Sequence, residues 1–269
     1  MGNDLKYLIY GRRVIEEFLL SDYDCEAIET IFLSDSIPEE FTKIFGDGEN
    51  ELHQKFRYLK RRELDQRFPE INHQGAVILF KKQRDPHQKH ISVKDLIQKG
   101  QGPLLLLDEI QDPQNTGSII RSAEALGIKA IFLCGQGAKL TPAVDRVSAG
   151  ATFHIPVITL PHSLRLVQEA QKNSYWIVAS SGETSESLSK RHPEFSKKPI
   201  FLDIHQSSQL PSPEETLLVI GNEENGVCFS VLNSADYLMR IPLHGKIQSL
   251  NAGVAAGILM DRVIHRALL

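Results

Sequence analysis

Hydrophobic and polar positions along the chain fall into two regimes. Up to about residue 80 the apolar positions mark short amphipathic segments, and from Leu104 onward continuous apolar runs alternate with polar loops. In the first regime Val14, Ile15, Phe18 and Leu19 follow a turn at Gly11 with the spacing of one helix face. Residues 27–33 read as a strand, 38–45 as a helix and 56–59 as a short strand. Gln74-Gly75-Ala76-Val77-Ile78-Leu79-Phe80 is a clear strand, rich in β-branched and aromatic residues. Residues 1–84 are therefore expected to form a small α/β domain. Residues 85–102, with Pro86, Gly100 and Gly102 around one helical patch at 93–98, read as a linker.

The second regime covers residues 103–269. Leu104-Leu105-Leu106-Leu107 is the uninterrupted apolar run of a strand buried on both faces of a parallel sheet. A polar loop at 108–117, a helix at 118–126 stopped by Gly127, and a strand at 129–134 follow. Further strands are expected at 155–158, 175–179, 199–203 and 217–220, helices at 164–172 and 252–268. Strands alternating with helices predict a mostly parallel α/β sheet. Two apolar segments deliver polar loops: Leu217-Leu218-Val219-Ile220 runs into Gly221-Asn222-Glu223-Glu224-Asn225-Gly226, and residues 238–243 lead to Ser249-Leu250-Asn251. Ligands of open α/β sheets bind beyond the carboxyl ends of the strands, so these loops are the first place to look for a site. Gly221 and Gly226 permit backbone conformations, or a close approach, that a Cβ would block.

Composition narrows the classes. With 41% hydrophobic and 24% charged residues over 269 positions, the chain has the make-up of a folded protein of one large or two ordinary domains. Cys25, Cys134 and Cys228 lie far apart and form no C-x-x-C pair, which points to a reducing compartment. The first ten residues carry Asp4 and Lys6 and lack the apolar run of a signal peptide; no segment reaches the ~20 apolar residues of a membrane span. A cytoplasmic location without membrane association is expected. The net charge of −4 argues against a generally basic binder, but the charge is uneven. Lys55, Arg57, Lys60, Arg61, Arg62 and Arg67 face only Glu63 and Asp65, with Phe56 and Tyr58 interleaved, and a second basic cluster runs from Lys81 through Arg84 to Lys89. A solvated helix face with a charged linker, or an RNA-binding surface with stacking aromatics, both account for this pattern.

Three patterns fail on inspection. Gly135-Gln136-Gly137-Ala138-Lys139-Leu140 begins like a dinucleotide fingerprint, yet Leu140 stands where the third glycine belongs, so the segment reads as a turn. His87 and His90 have no further ligand at metal-binding spacing, and no metal is expected. Ser180-Ser181-Gly182 lacks the G-x-S-x-G elbow of a serine hydrolase.

Asn115-Thr116-Gly117-Ser118-Ile119-Ile120-Arg121, then Gly221-Asn222-Glu223 with Gly226, then Ile241-Pro242-Leu243 and Ser249-Leu250-Asn251 resemble the three ordered motifs of the SpoU class of SPOUT RNA 2′-O-ribose methyltransferases. The resemblance covers roughly residues 103–269. Tyr10-Gly11 and Gln74-Gly75 are similar to the ribosomal-protein-like substrate-binding domain that often precedes this catalytic domain. It implies a deep trefoil knot near the C-terminus, S-adenosylmethionine as methyl donor, a homodimer, and an RNA substrate, ribosomal rather than transfer RNA because of the N-terminal domain. By the same resemblance Gly221, Ile241 and Leu250 present backbone to the cofactor, with Leu133, Gly135, Asn222 and Gly226 around it, and Asn115, Arg121, Glu223, Ser249 and Asn251 form the catalytic set.

Residue chemistry sets the roles. Methyl transfer from a sulfonium requires alignment of two substrates and removal of a proton. A guanidinium with a pKa above about 12 is a poor proton acceptor, so Arg121 is expected to grip the phosphate beside the target ribose; without the motif it would pair with Glu124 or with an acid of a loop. Asn115, at or just before a helix N-cap, either caps that helix or positions Arg121 or the ribose. Glu223 either orients Arg121 or the nucleotide or closes a turn. Ser249 and Asn251 either cap the last helix or stand beside the methyl donor, Asn251 being preferred for catalysis. Two departures from the family pattern are Glu224-Asn225 after Glu223 and Ala252-Gly253 after Asn251, the latter removing a hydroxyl. A non-catalytic RNA-binding assembly factor is the rival from another class, disfavoured by the complete catalytic set. An ordinary Rossmann methyltransferase is disfavoured because Leu107 is followed by Asp108-Glu109, not glycines.

Overall fold

The computed structural model describes residues 7–46, 51–82, 86–87, 92–98, 101–137, 139–195, 199–246 and 249–265. Arg84, Lys89, His90, Gly100, Ala138 and the end of the expected last helix beyond residue 265 lie outside them. In chain order the elements are β1 (Leu8–Tyr10), α1 (Arg12–Leu20), β2 (Ile28–Ser34), α2 (Glu39–Thr42), β3 (Phe56–Leu59), α3 (Arg61–Arg67) and β4 (Ala76–Phe80). There follow α4 (Val93–Leu96), β5 (Leu104–Asp108), α5 (Pro113–Ala125), β6 (Ala130–Cys134), α6 (Pro142–Val147), β7 (Val157–Leu160) and α7 (Ser163–Lys172). The chain goes on through β8 (Trp176–Ser180), α8 (Ser185–Arg191), β9 (Ile200–Asp203), β10 (Thr216–Gly221), α9 (Phe229–Leu232), β11 (Tyr237–Arg240) and α10 (Ala252–Ile264). They form two compact units, residues 1–90 with 140–154, and residues 91–139 with 155–269.

The first unit is a four-stranded mixed sheet in the order β1-β4-β2-β3, with β2 and β3 parallel. Helix α1 buries Val14, Ile15 and Phe18, the face its spacing marked, against Ile28, Ile31 and Ile78. Phe153, far away in sequence, completes this core edge-on to Phe18 at 5.2 Å. The segment that carries it is anchored by Asp145, a fully buried carboxylate that accepts hydrogen bonds from Tyr7 (2.8 Å) and Thr152 (2.8 Å) and lies 3.0 Å from His87 Nε2. A buried charge survives only when partnered in this way. Strand β1 and helix α6 were not expected. The first is three residues long; the second announces itself through Thr141, whose side chain accepts from Val144 N, and Pro142 at the first helical position.

The second unit is a seven-stranded parallel sheet in the order β7-β6-β5-β10-β8-β11-β9. Its central strands are buried on both faces, as the apolar run 104–107 predicts. From β5 the chain winds outward through β6 and β7, and the later strands fill the other side, so the order reverses between β5 and β10. That reversal is where ligands of open α/β sheets bind, and Asp108 and Gly221 sit opposite each other there. One boundary corrects the sequence reading. Helix α5 begins at Pro113, five residues before the expected start, because Asp112 accepts from Gln114 N at 3.0 Å and proline occupies the first turn. Asn115 therefore lies inside the first turn, not at or before the N-cap.

Candidate active site

Three loops interlock at the switch point. Asn222 N and O pair with Gly226 O and N at 3.1 and 2.9 Å, closing the turn after β10, and the Asn222 amide donates to Glu109 O at 2.8 Å while its oxygen accepts from Glu224 N and Asn225 N. The Asn222 side chain is thus spent on tying its own turn to the loop after β5. Gly221 has no alternative residue: a Cβ there would lie 2.1 Å from both Gly226 C and Val227 N. Gly135 packs on Glu109, whose Cγ would meet a Cβ at 2.6 Å, and Glu109 itself adopts φ 60°, a left-handed conformation uncommon for a residue with a side chain. Beneath them the buried Asp108 carboxylate accepts from Ser163 Oγ and, at 2.8 Å, from Cys228 N, joining the ends of three elements.

Above this base the side chains of three separate motifs form one hydrogen-bonded relay. Asn115 Nδ2 donates to Glu223 Oε1 at 2.6 Å, and Asn251 Nδ2 donates to Asn115 Oδ1 at 2.8 Å. Asn251 Oδ1 in turn accepts from Val254 N at 3.2 Å, making it the N-cap of α10 as well. The two readings of Asn251 are one geometry. Helix α10 comes this close because it packs on α5, where Gly253 leaves no room for a Cβ beside Ser118 Oγ (2.5 Å). Asn115 is buried; Glu223 and Asn251 remain exposed.

Arg121 and Ser249 are not drawn into the relay. Arg121 is exposed on α5 and, among the described residues, forms no hydrogen bond or ion pair, including none with Glu124 or Glu223. Ser249 is exposed and equally without a hydrogen-bond partner there. Leu133 is buried within β6, and Ile241 is half-buried directly after β11. Leu243 and Leu250 are large apolar side chains left exposed, chemically able to pack on the planar base of a sulfonium nucleoside. Sequence reasoning missed Ser180 and Ser181. Strand β8 lies between β10 and β11, so Ser180 Oγ accepts from Gly221 N at 3.4 Å and Ser181 N donates to Met239 O at 2.9 Å. Strand order carries that information, and nothing local in Ser180-Ser181-Gly182 does.

A parallel sheet with three motif loops knit together at its switch point defines an α/β methyltransferase of the SPOUT kind. Residues 102–261 match the SpoU rRNA Methylase family and residues 8–86 the RNA 2′-O ribose methyltransferase substrate-binding family. The chain belongs to the SpoU methyltransferase family. A 23S rRNA (guanosine-2′-O-)-methyltransferase RlmB of Vibrio cholerae is 26% identical over all of this chain and 99% of its own. A putative TrmH family tRNA/rRNA methyltransferase, YacO of Bacillus subtilis, is 32% identical over 78% of this chain and 77% of its own. Among solved structures, the SpoU methyltransferase AviRb of Streptomyces viridochromogenes in complex with AdoMet matches with a TM-score of 0.73 at 20% identity, over 98% of this chain and 91% of that one. An AdoMet-bound rRNA methyltransferase of Sinorhizobium meliloti matches with a TM-score of 0.71 at 21% identity, over 98% and 88%. The fold is the α/β-knot fold of these enzymes, as the motifs led one to expect. Among the described residues no helix is long and apolar enough to cross a membrane, and no group of three or more His, Cys, Asp or Glu is placed to hold a metal.

Proposed function

We propose that this chain transfers a methyl group from S-adenosylmethionine to the 2′-oxygen of a guanosine ribose in 23S ribosomal RNA, acting as a homodimer in the cytoplasm. The observation that carries the reading is the Asn115–Glu223–Asn251 relay, since it joins the polar side chains of three motifs up to 136 positions apart in one hydrogen-bonded chain. The target base and RNA are those named for the Vibrio cholerae relative. When bound, S-adenosylmethionine supplies the activated methyl carbon. The rest is positioning. Asn115 fixes Glu223 through Oε1, leaving the other carboxylate oxygen to accept a hydrogen bond from the target ribose. Arg121, uncommitted on the exposed face of α5, grips the adjoining phosphate with its planar fork, and lowers the pKa of the hydroxyl by proximity.

Incubating the purified protein with an unmodified 23S transcript, a tRNA pool and labelled S-adenosylmethionine, then mapping 2′-O-methyl positions, tests this. One guanosine in the 23S transcript is expected to gain the label, and Arg121→Ala is expected to lose about 10²-fold or more in rate, the scale of one removed electrostatic group. Label confined to tRNA would replace the substrate; RNA binding without any transfer would favour the assembly factor; an unaltered rate in Arg121→Ala would remove Arg121 from the site.

A further inference from the structure

Residues 140–154, enclosed in sequence by the methyltransferase unit, belong by their packing to the first unit, and they bring Arg146 to it. Two tight turns meet there: Gly11, between β1 and α1, and Gln74-Gly75 ahead of β4. Gly11 N donates to Ala76 O at 3.2 Å and Arg12 N to Gln74 Oε1 at 3.3 Å. The Arg146 guanidinium lies over Gly11 so closely that a Cβ there would sit 3.2 Å from Nη1, with Gln74 Oε1 at 3.3 Å on the same spot. A Cβ on Gly75 would in turn lie 3.7 Å from Arg61 Nη1. Gly11 and Gly75 both adopt φ +88°, so the turns exclude side chains by conformation as well as by space. The guanidinium groups of Arg61 and Arg146 thus border the paired turns, and Arg12, exposed on the first residue of α1, is tied to them through its backbone N–H.

Among the described residues only Arg61 of the three has a carboxylate partner. Arg61 Nε donates to Asp65 Oδ1 at 3.2 Å, but among the described residues the guanidinium groups of Arg12 and Arg146 form no hydrogen bond or ion pair. Asp145, the acid next to Arg146 in sequence, is committed to Tyr7, Thr152 and His87. Guanidinium groups without carboxylate partners, beside bare backbone, match phosphate oxygens, and several cations spread over two turns match a polyanion better than a single ion.

We propose that Arg12, Arg61 and Arg146 form a backbone-phosphate site for the RNA substrate, so that a residue encoded within the methyltransferase sequence serves the RNA-binding unit. The proposal rests on the RNA reading above and adds to it where the nucleic acid is held. Such contacts position RNA without reading its bases.

The test measures binding of the full-length protein to an unmodified 23S transcript across a salt series. Arg12→Ala and Arg146→Ala are each expected to weaken binding several-fold and to flatten the slope of log K against log salt by about one, with the loss appearing in KM for RNA and not in kcat. Arg146→Lys, which keeps the positive charge, is expected to keep the slope. Wild-type binding with unchanged affinity and slope in both alanine variants overturns the site. A loss in Arg146→Lys as large as in Arg146→Ala, with a lowered melting temperature, makes Arg146 a packing residue and overturns it equally. A wild-type protein that neither binds nor methylates the transcript defeats the 23S substrate reading itself, a result distinct from failure of this site.

Discussion

At the scale of single residues, Asn251 does two jobs with two atoms: Oδ1 caps α10 and Nδ2 feeds the relay. Asn251→Asp separates them. An aspartate accepts from Val254 N as well as asparagine does, but it offers no donor to Asn115 Oδ1. Methylation is therefore expected to fall by about 10²-fold while the melting temperature stays within a degree or two of wild type, measured by a transfer assay beside thermal denaturation. Full activity in Asn251→Asp would mean that the relay is a structural accident. The relay was legible as three motifs but not as a hydrogen-bonded chain, because spacing in sequence says nothing about which amide faces which carboxylate. Arg121 was legible as chemistry and remains outside the relay: an exposed cation, it has no partner among the described residues to reveal its use.

Among elements, the loops at the switch point matter more than the strands that present them. Gly221→Ala pushes a methyl group into the backbone of Gly226 and Val227, and since backbone cannot rotate aside, the turn must open. A cost of about 1–3 kcal/mol in stability is expected, with affinity for S-adenosylmethionine reduced about tenfold for each 1.4 kcal/mol borne by the bound loop, as titration calorimetry reads. An alanine variant that binds the cofactor like wild type would free Gly221 from the cofactor pocket. Strands buried on both faces announced themselves as apolar runs. Helix α5 was placed five residues late because Gly117 and Asn115 weaken helix propensity, while the stronger start signal of Asp112-Pro113 was passed over as loop. Asp112→Ala is expected to cost about 1 kcal/mol and to lower activity with it, since Asn115 sits in the turn that Asp112 caps; denaturation and transfer assays on the same protein check the pairing.

For the whole molecule, alternation of strands and helices made the parallel sheet legible, whereas the allegiance of residues 140–154 was not, because Phe153 and Asp145 are fixed by partners more than a hundred positions away. The same long-range burial shapes how stability depends on pH. Burial pushes the Cys134 thiol from 9.0 up to about 12 and the Tyr23 phenol from 10.0 up to about 12, and raises Tyr10, Tyr175 and Cys228 as well. The native chain keeps these protons where the unfolded chain releases them, so the unfolded state gains free energy of ionisation and stability declines as pH rises from about 9 towards 12. His73 acts at the other end: burial lowers it below 6.5, so the unfolded chain takes up a proton that the folded chain refuses, and stability declines as pH falls below that value. Urea midpoints are therefore expected to be highest between these limits. In Cys134→Ala the overall midpoint is expected to be lower, because a buried side chain is truncated, but its decline between pH 8.5 and 10.5 is expected to be shallower than in wild type. Parallel declines in the two proteins would show that the Cys134 thiol does not govern the alkaline limb and would leave it to Cys228 and to the tyrosines, whose unfolded ionisation begins a full pH unit higher.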